Sequence, residues 1–168
     1  ELNEKAMPLW PKDWGRVTTM TVGYGHGIAV TPMHLASAYA AMVNGGVWHP
    51  ATLMRVKPGD KVPAKQVFSA ATSARMRQLL RMIVVDGTGT QANAEGYRVG
   101  GKTGSAEKAS EGSYARNLLV STFAAAFPMD NPRYVIVATL DEPKGTAEAS
   151  FQRTAGFTAA PIVRKTVV

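Results

Sequence analysis

The sequence predicts an α+β fold, with an antiparallel sheet flanked by helices. Apolar residues recur at three- and four-residue spacing over 32–43 and again over about 69–86, which is the period of an amphipathic helix. Two later stretches, 118–127 and 133–140, read as strands. They are joined across Asp130-Asn131-Pro132, which is turn chemistry, so the strands form a hairpin and do not alternate with helices.

The elements follow in order. The first 22 residues, with Pro8, Trp10, Pro11 and Trp14, read as an irregular, packed segment. Gly23-Tyr24-Gly25-His26-Gly27 reads as a loop; it lacks the Lys-Ser or Lys-Thr pair of a phosphate cradle. Thr31 suits an N-cap and Pro32 a first helical position. Leu35, Ala38, Tyr39 and Met42 then share one face, and Asn44-Gly45-Gly46 ends the helix. Residues 47–62 read as short strands or loop. A second helix begins near Ser69 or Thr72, with Met76, Leu79, Leu80 and Ile83 as its apolar face and Arg75, Arg77 and Arg81 on others. Asp86-Gly87-Thr88-Gly89 stops it. Tyr97–Lys102 is expected as a strand, Ser105–Asn117 as mostly loop, and Leu118–Phe127 and Arg133–Leu140 as strands. Glu142-Pro143-Lys144-Gly145 breaks the pattern, and Ala155–Val167 forms a last helix with Pro161 in its first turn or at a kink. The eight methionines read as core filler.

Composition narrows the function classes. A chain of 168 residues suits one domain or a large part of one, and 45% hydrophobic with 18% charged residues is globular, not disordered. The formal net charge of +7 would suit nucleic acid or an anionic surface, but the basic residues are spread from Lys5 to Lys165 with no aromatic-interleaved run. A solvated surface is therefore expected and a nucleic-acid partner is not. The absence of cysteine excludes disulfides, zinc-thiolate centres and cysteine nucleophiles. His26, His34 and His49 are too scattered for a metal site, and neither metal nor cofactor is expected. No stretch reaches the roughly 18 apolar residues of a membrane span, and the polar start is not a signal peptide, so any anchor is expected upstream of Glu1.

The chemistry concentrates at Lys102-Thr103-Gly104, read as the end of a strand. Lysine places positive charge beside a site. A threonine hydroxyl can donate to a substrate carboxylate. Glycine bares the backbone where a ligand must approach. The following Ser105 can aim a backbone N–H at a developing oxyanion. The tripeptide alone is weak: random order gives it with a probability of roughly 8% in this composition.

The surroundings supply the context. Val99-Gly100-Gly101-Lys102-Thr103-Gly104-Ser105-Ala106-Glu107-Lys108 resembles the Lys-Thr-Gly box of class B penicillin-binding proteins. Residues 27–46 are similar to the helix upstream of that box, and Val84-Val85-Asp86-Gly87-Thr88-Gly89-Thr90-Gln91-Ala92 to the family's Gly-Thr-Gly segment. Residues 123–128, 131–135 and 141–143 resemble its last two strands, and 159–163 its final helix. The resemblance favours the division type over the elongation type.

It implies a β-lactamase/transpeptidase-like fold, with three of the family's five strands present and the Arg133–Leu140 strand left with an unpaired edge unless upstream chain covers it. It also implies a serine-type D,D-transpeptidase that cross-links peptidoglycan stem peptides during septal wall synthesis and is acylated by β-lactams. Alternatives are a serine β-lactamase or D,D-carboxypeptidase of the same superfamily, or a non-catalytic penicillin-binding-like scaffold. Residue by residue, Lys102 supplies positive potential, Thr103 binds the carboxylate, Gly104 allows close approach, Ser105 gives an oxyanion-hole N–H and Glu107 lies at the edge of the site. At position 105 the family more often has threonine, so a side-chain role there does not carry over.

The family's nucleophilic serine, its lysine one helical turn on, and its S-x-N motif are expected N-terminal to Glu1. The one S-x-x-K present, Ser105 to Lys108, overlaps the box, and no Ser-x-Asn occurs. The 168 residues are thus expected to be the C-terminal portion of a transpeptidase domain, inactive alone. The implied partners are stem peptides, β-lactams, the missing N-terminal part and divisome proteins. The implied location is the periplasmic side of the bacterial inner membrane, anchored by an upstream helix.

Overall fold

A computed structural model of the chain describes residues 5–110 and 113–168, the side chains of 109–117 excepted. Its elements are α1 (Arg16–Val22), α2 (Pro32–Val43), β1 (Val47–Trp48), β2 (Lys65–Gln66), α3 (Ala70–Asp86), a 3-10 turn (Thr90–Ala92), β3 (Gly100–Ser110), β4 (Ser113–Phe127), β5 (Tyr134–Asp141) and α4 (Ala159–Val167). The main sheet is antiparallel in the order β3-β4-β5, and β1 and β2 form a separate two-residue ladder.

Side chains alternate across a strand, so β4 serves two cores at once. Phe123 and Ala125 pack with Ala159, Ala160 and Val163 of α4. Ala124 and Ala126 pack on the other side with Tyr39 and Val43 of α2 and Leu80 of α3. The result is three layers, helices–sheet–helix. Burial of both faces is why 123–127 reads as a continuous apolar run rather than an alternating one.

The helices start where their caps dictate. The Thr31 hydroxyl accepts from the His34 N–H at 3.2 Å while His34 Nδ1 faces the Thr31 N–H at 3.4 Å, a reciprocal capping box, and Pro32 stands at the first helical position. Ser69 caps α3 by accepting from the Thr72 N–H at 3.0 Å. Buried Ser73 donates to the Met42 carbonyl at 2.6 Å and accepts from the Gly45 N–H at 3.0 Å, fastening α3 to the end of α2.

Several expectations are corrected. Of the segment 1–22, residues 1–4 lie outside the described residues; 5–22 contain α1 and are not packed: Trp10 is 59% and Trp14 54% exposed, because no described element covers them. The strand expected over Tyr97–Lys102 begins at Gly100, since Arg98 has φ 47 and leaves extended geometry. Of Ser105–Asn117, read as mostly loop, 105–110 belong to β3 and 113–117 to β4, which thus begins before Leu118; 111–112 lie outside the described residues. Their backbones pair in a ladder that needs no apolar side chains, so composition hid it. Leu79 and Ala38, expected on buried faces, are exposed; α3 buries Leu80 as expected, together with Ser73 and Val84. Of the methionines only Met129 is buried, whereas Met7, Met20, Met33, Met54 and Met82 are more than half exposed. The last helix starts at Ala159, with Pro161 in its first turn as expected.

Candidate active site

Lys102, Thr103, Gly104 and Ser105 lie on β3 opposite Ala124, Phe123, Thr122 and Ser121 of β4. Directly opposed residues share a face. Thr103 and Ser105 therefore stand on the α4 side with Phe123, and Lys102 and Gly104 on the α2–α3 side with Ala124. The box sits near the start of an eleven-residue strand rather than at its end. The strand continues because residues 105–110 keep pairing with β4.

β3 is an edge strand, paired with β4 alone among the described residues. At that edge the Lys102 ammonium donates to the Thr103 carbonyl at 2.7 Å and to Thr103 Oγ1 at 3.3 Å. Thr103 Oγ1 is 2.9 Å from Thr88 Oγ1, in the turn after α3. The carbonyl held by Lys102 points to the open edge. By the two-residue repeat, the N–H and C=O of Ser105 face the same way. Among the described residues a Cβ added at Gly104 would touch only the Thr122 carbonyl oxygen, at 3.9 Å, and packing against them does not demand glycine there.

Beside Lys102 an open groove of about 640 Å³ runs along α3, lined by Met76, Leu79, Met82 and Ile83 and by Tyr39 and Met42 of α2. Burial pushes the Tyr39 phenol up to about 12, so it stays neutral near pH 7. Among the described residues no cluster of three histidine or acidic side chains could hold a metal.

The remaining residues of interest separate. Ser105 Oγ accepts from the Ala155 N–H at 3.0 Å, on the α4 side. Lys108 Nζ is held by Asp141, at 3.0 Å, and by Glu142, at 2.7 Å. Hydrogen bonds to Glu142 first and Asp141 second raise its pKa. The formal S-x-x-K is therefore no nucleophile–base pair: both residues lie on a strand, and a three-residue spacing brings side chains together on a helix only. Glu107 is exposed, opposite Leu119, roughly 14 Å along the strand from Thr103 at about 3.4 Å per residue.

Residues 3–167 match the family described as penicillin binding protein transpeptidase domain. The chain belongs to that family. The transpeptidase match extends to individual proteins. The chain is 39% identical to the probable peptidoglycan D,D-transpeptidase FtsI of Caulobacter vibrioides, over 99% of this chain and 30% of that protein. It is also 39% identical to stage V sporulation protein D of Bacillus subtilis, over 89% of this chain and 24% of that one. Among solved structures, the transpeptidase domain of Burkholderia pseudomallei penicillin-binding protein 3 superposes with a TM-score of 0.81 at 32% identity, covering 91% of this chain and 45% of that one. The ampicillin complex of Mycobacterium tuberculosis penicillin-binding protein 3 gives 0.82 at 28% identity, covering 97% and 39%. The chain thus spans less than a third of the length of these two curated relatives, and the α+β transpeptidase fold is that of its structural neighbours.

Thr88 and the Lys108–Asp141–Glu142 clamp escaped the reading of this transpeptidase sequence. Gly87-Thr88-Gly89 stood out as a segment, but nothing in its spacing places a hydroxyl against residue 103. Asp141 and Glu142 lie over thirty positions from Lys108, and only the β3-β4-β5 register joins them.

Proposed function

We propose that this chain forms the substrate-carboxylate and oxyanion wall of a serine-type peptidoglycan D,D-transpeptidase of the division type. The observation that carries the reading is the Lys102–Thr103 cluster on the open edge of β3, beside a glycine whose bareness serves no close contact among the described residues. The family and the names of the relatives support it.

In this reading the serine nucleophile and its lysine lie in upstream chain. The serine attacks the penultimate D-alanine carbonyl of a stem peptide, the terminal D-alanine leaves with the proton, and an amine of a second stem resolves the acyl-enzyme. Lys102 supplies positive potential and Thr103 donates to the terminal carboxylate, or to that of a β-lactam. Gly104 lets the ligand approach. The Ser105 N–H stabilises the tetrahedral oxyanion, and Glu107 lies at the outer edge. No cofactor takes part.

The exposed apolar groove beside Lys102 supports an upstream partner segment, since Leu79 at 53% and Met82 at 64% exposure face no described element. The relatives' greater length makes room for that segment. The partners in this reading are stem peptides, β-lactams and divisome proteins. Its location is the periplasmic side of the inner membrane, held by an upstream helix; no described helix is long and apolar enough to cross a membrane.

The test is the intact protein given a D-Ala-D-Ala stem peptide and an acceptor amine. Cross-linked product with a long-lived penicilloyl-enzyme is expected. Rapid β-lactam turnover would make the protein a β-lactamase, transfer to water alone a carboxypeptidase, and absence of acylation a scaffold.

A further inference from the structure

The turn after α3 presents a hydroxyl that the roles above leave unused. Thr88 Oγ1 lies 2.9 Å from Thr103 Oγ1, and Lys102 Nζ lies 3.3 Å from the same oxygen. A threonine hydroxyl has one proton and two acceptor lone pairs. An ammonium only donates, so Lys102 occupies one lone pair of Thr103. The direction of the Thr88–Thr103 bond then decides what Thr103 can offer. If Thr103 donates to Thr88, its proton is spent inside the protein. If Thr88 donates, both lone pairs are filled and the Thr103 proton is directed at whatever stands on the open edge.

A carboxylate only accepts. It selects the second arrangement, in which Thr103 donates to the ligand. Thr88 is held for this task by close packing: a Cβ on Gly156 would come within 2.5 Å of the Thr88 carbonyl oxygen, so the segment before α4 presses directly on the turn. The Thr88 side chain itself is exposed, so the core does not depend on it.

We infer that Thr88 is a positioning residue for carboxylate recognition, acting through Thr103. It donates to the Thr103 hydroxyl and makes that hydroxyl a committed donor to the anionic end of the substrate or β-lactam. This rests on the proposed reading that Thr103 receives the carboxylate.

The experiment compares acylation of the intact protein by benzylpenicillin and by its carboxylate methyl ester. Thr88→Val keeps the shape and removes the hydroxyl; Thr88→Ala makes the same contrast if the valine variant does not fold. Benzylpenicillin acylation should fall about 5-fold in T88V, the loss expected of the one neutral hydrogen bond that orients the Thr103 hydroxyl toward the anion, and Thr88→Ser should restore it. The ester, lacking the anion, should react equally with wild type and T88V. Equal slowing of both compounds would mark a structural role and overturn the inference, as would no slowing of either. Failure of the wild type to be acylated would instead remove the transpeptidase reading, and this inference with it.

Discussion

The Ser105 hydroxyl accepts a hydrogen bond from the backbone N–H of Ala155 at 3.0 Å. It ties the strand that carries the box to the segment entering α4, and it turns the side chain away from the Lys102 groove. Ser105→Ala should therefore cost about 1 kcal/mol in a denaturant melt, because it strips the Ala155 N–H of its partner. The backbone N–H at 105 survives the change, so acylation of the intact protein should stay within about three-fold of wild type. A loss of two orders of magnitude would show that the hydroxyl itself takes part.

Lys102 presents the opposite balance. It is exposed, and among the described residues its hydrogen bonds reach only its neighbour Thr103. Lys102→Ala should change stability by less than about 0.5 kcal/mol, as for an ordinary surface position. Acylation should fall by about 100-fold or more, the scale on which fixed electrostatic partners act. Melts paired with penicillin acylation rates check both halves.

Gly104 tests whether bareness serves a ligand. Among the described residues the only contact for an added Cβ is the Thr122 carbonyl oxygen at 3.9 Å, which is ordinary contact. Gly104→Ala should stabilise the strand by roughly 0.5–1 kcal/mol, because alanine gives up less conformational freedom on folding. The same substitution should slow acylation at least about ten-fold, by standing where the ligand must pass. Stabilisation without slowing would mean that no ligand approaches this face.

The Lys108 clamp gives a pH dependence whose sign follows from the raised pKa. Glu142 and then Asp141 hold the ammonium form in the folded chain. The unfolded lysine titrates near 10.4. Stabilisation is thus fully present below about 10.4 and is lost as pH rises through the higher folded value. The stability gap between wild type and Lys108→Met should be constant from pH 6 to about 9 and shrink at higher pH. Urea melts across that range measure it; a gap that persists unchanged at strongly alkaline pH would show that packing of the lysine stem, not charge, holds the arm.

How far the sequence was legible depends on what each segment's neighbours require. Thr31, Pro32 and Ser69 announce their helices because caps are local chemistry, and the structure places them as read. The β4–β5 hairpin was legible for the same reason, through its turn residues and apolar strands. The β3–β4 arm was not, since Ser105, Ala106 and Glu107 are held by a backbone ladder and carry no apolar period. Exposed Leu79, Met82 and Trp14 misread as core because the apolar pattern registers a surface to be covered, whichever chain covers it. In the site, Lys102 and Thr103 were visible as neighbours in sequence. Thr88 was not, because it meets Thr103 only once α3 and β3 are packed.

The most direct measurement is covalent labelling by a fluorescent penicillin of the 168-residue chain and, in parallel, of the intact protein. The chain alone should take no label. The intact protein should carry one penicilloyl adduct, placed by peptide mass spectrometry on a serine upstream of Glu1. An adduct on Ser105, or an intact protein that takes no label, would contradict the proposed function.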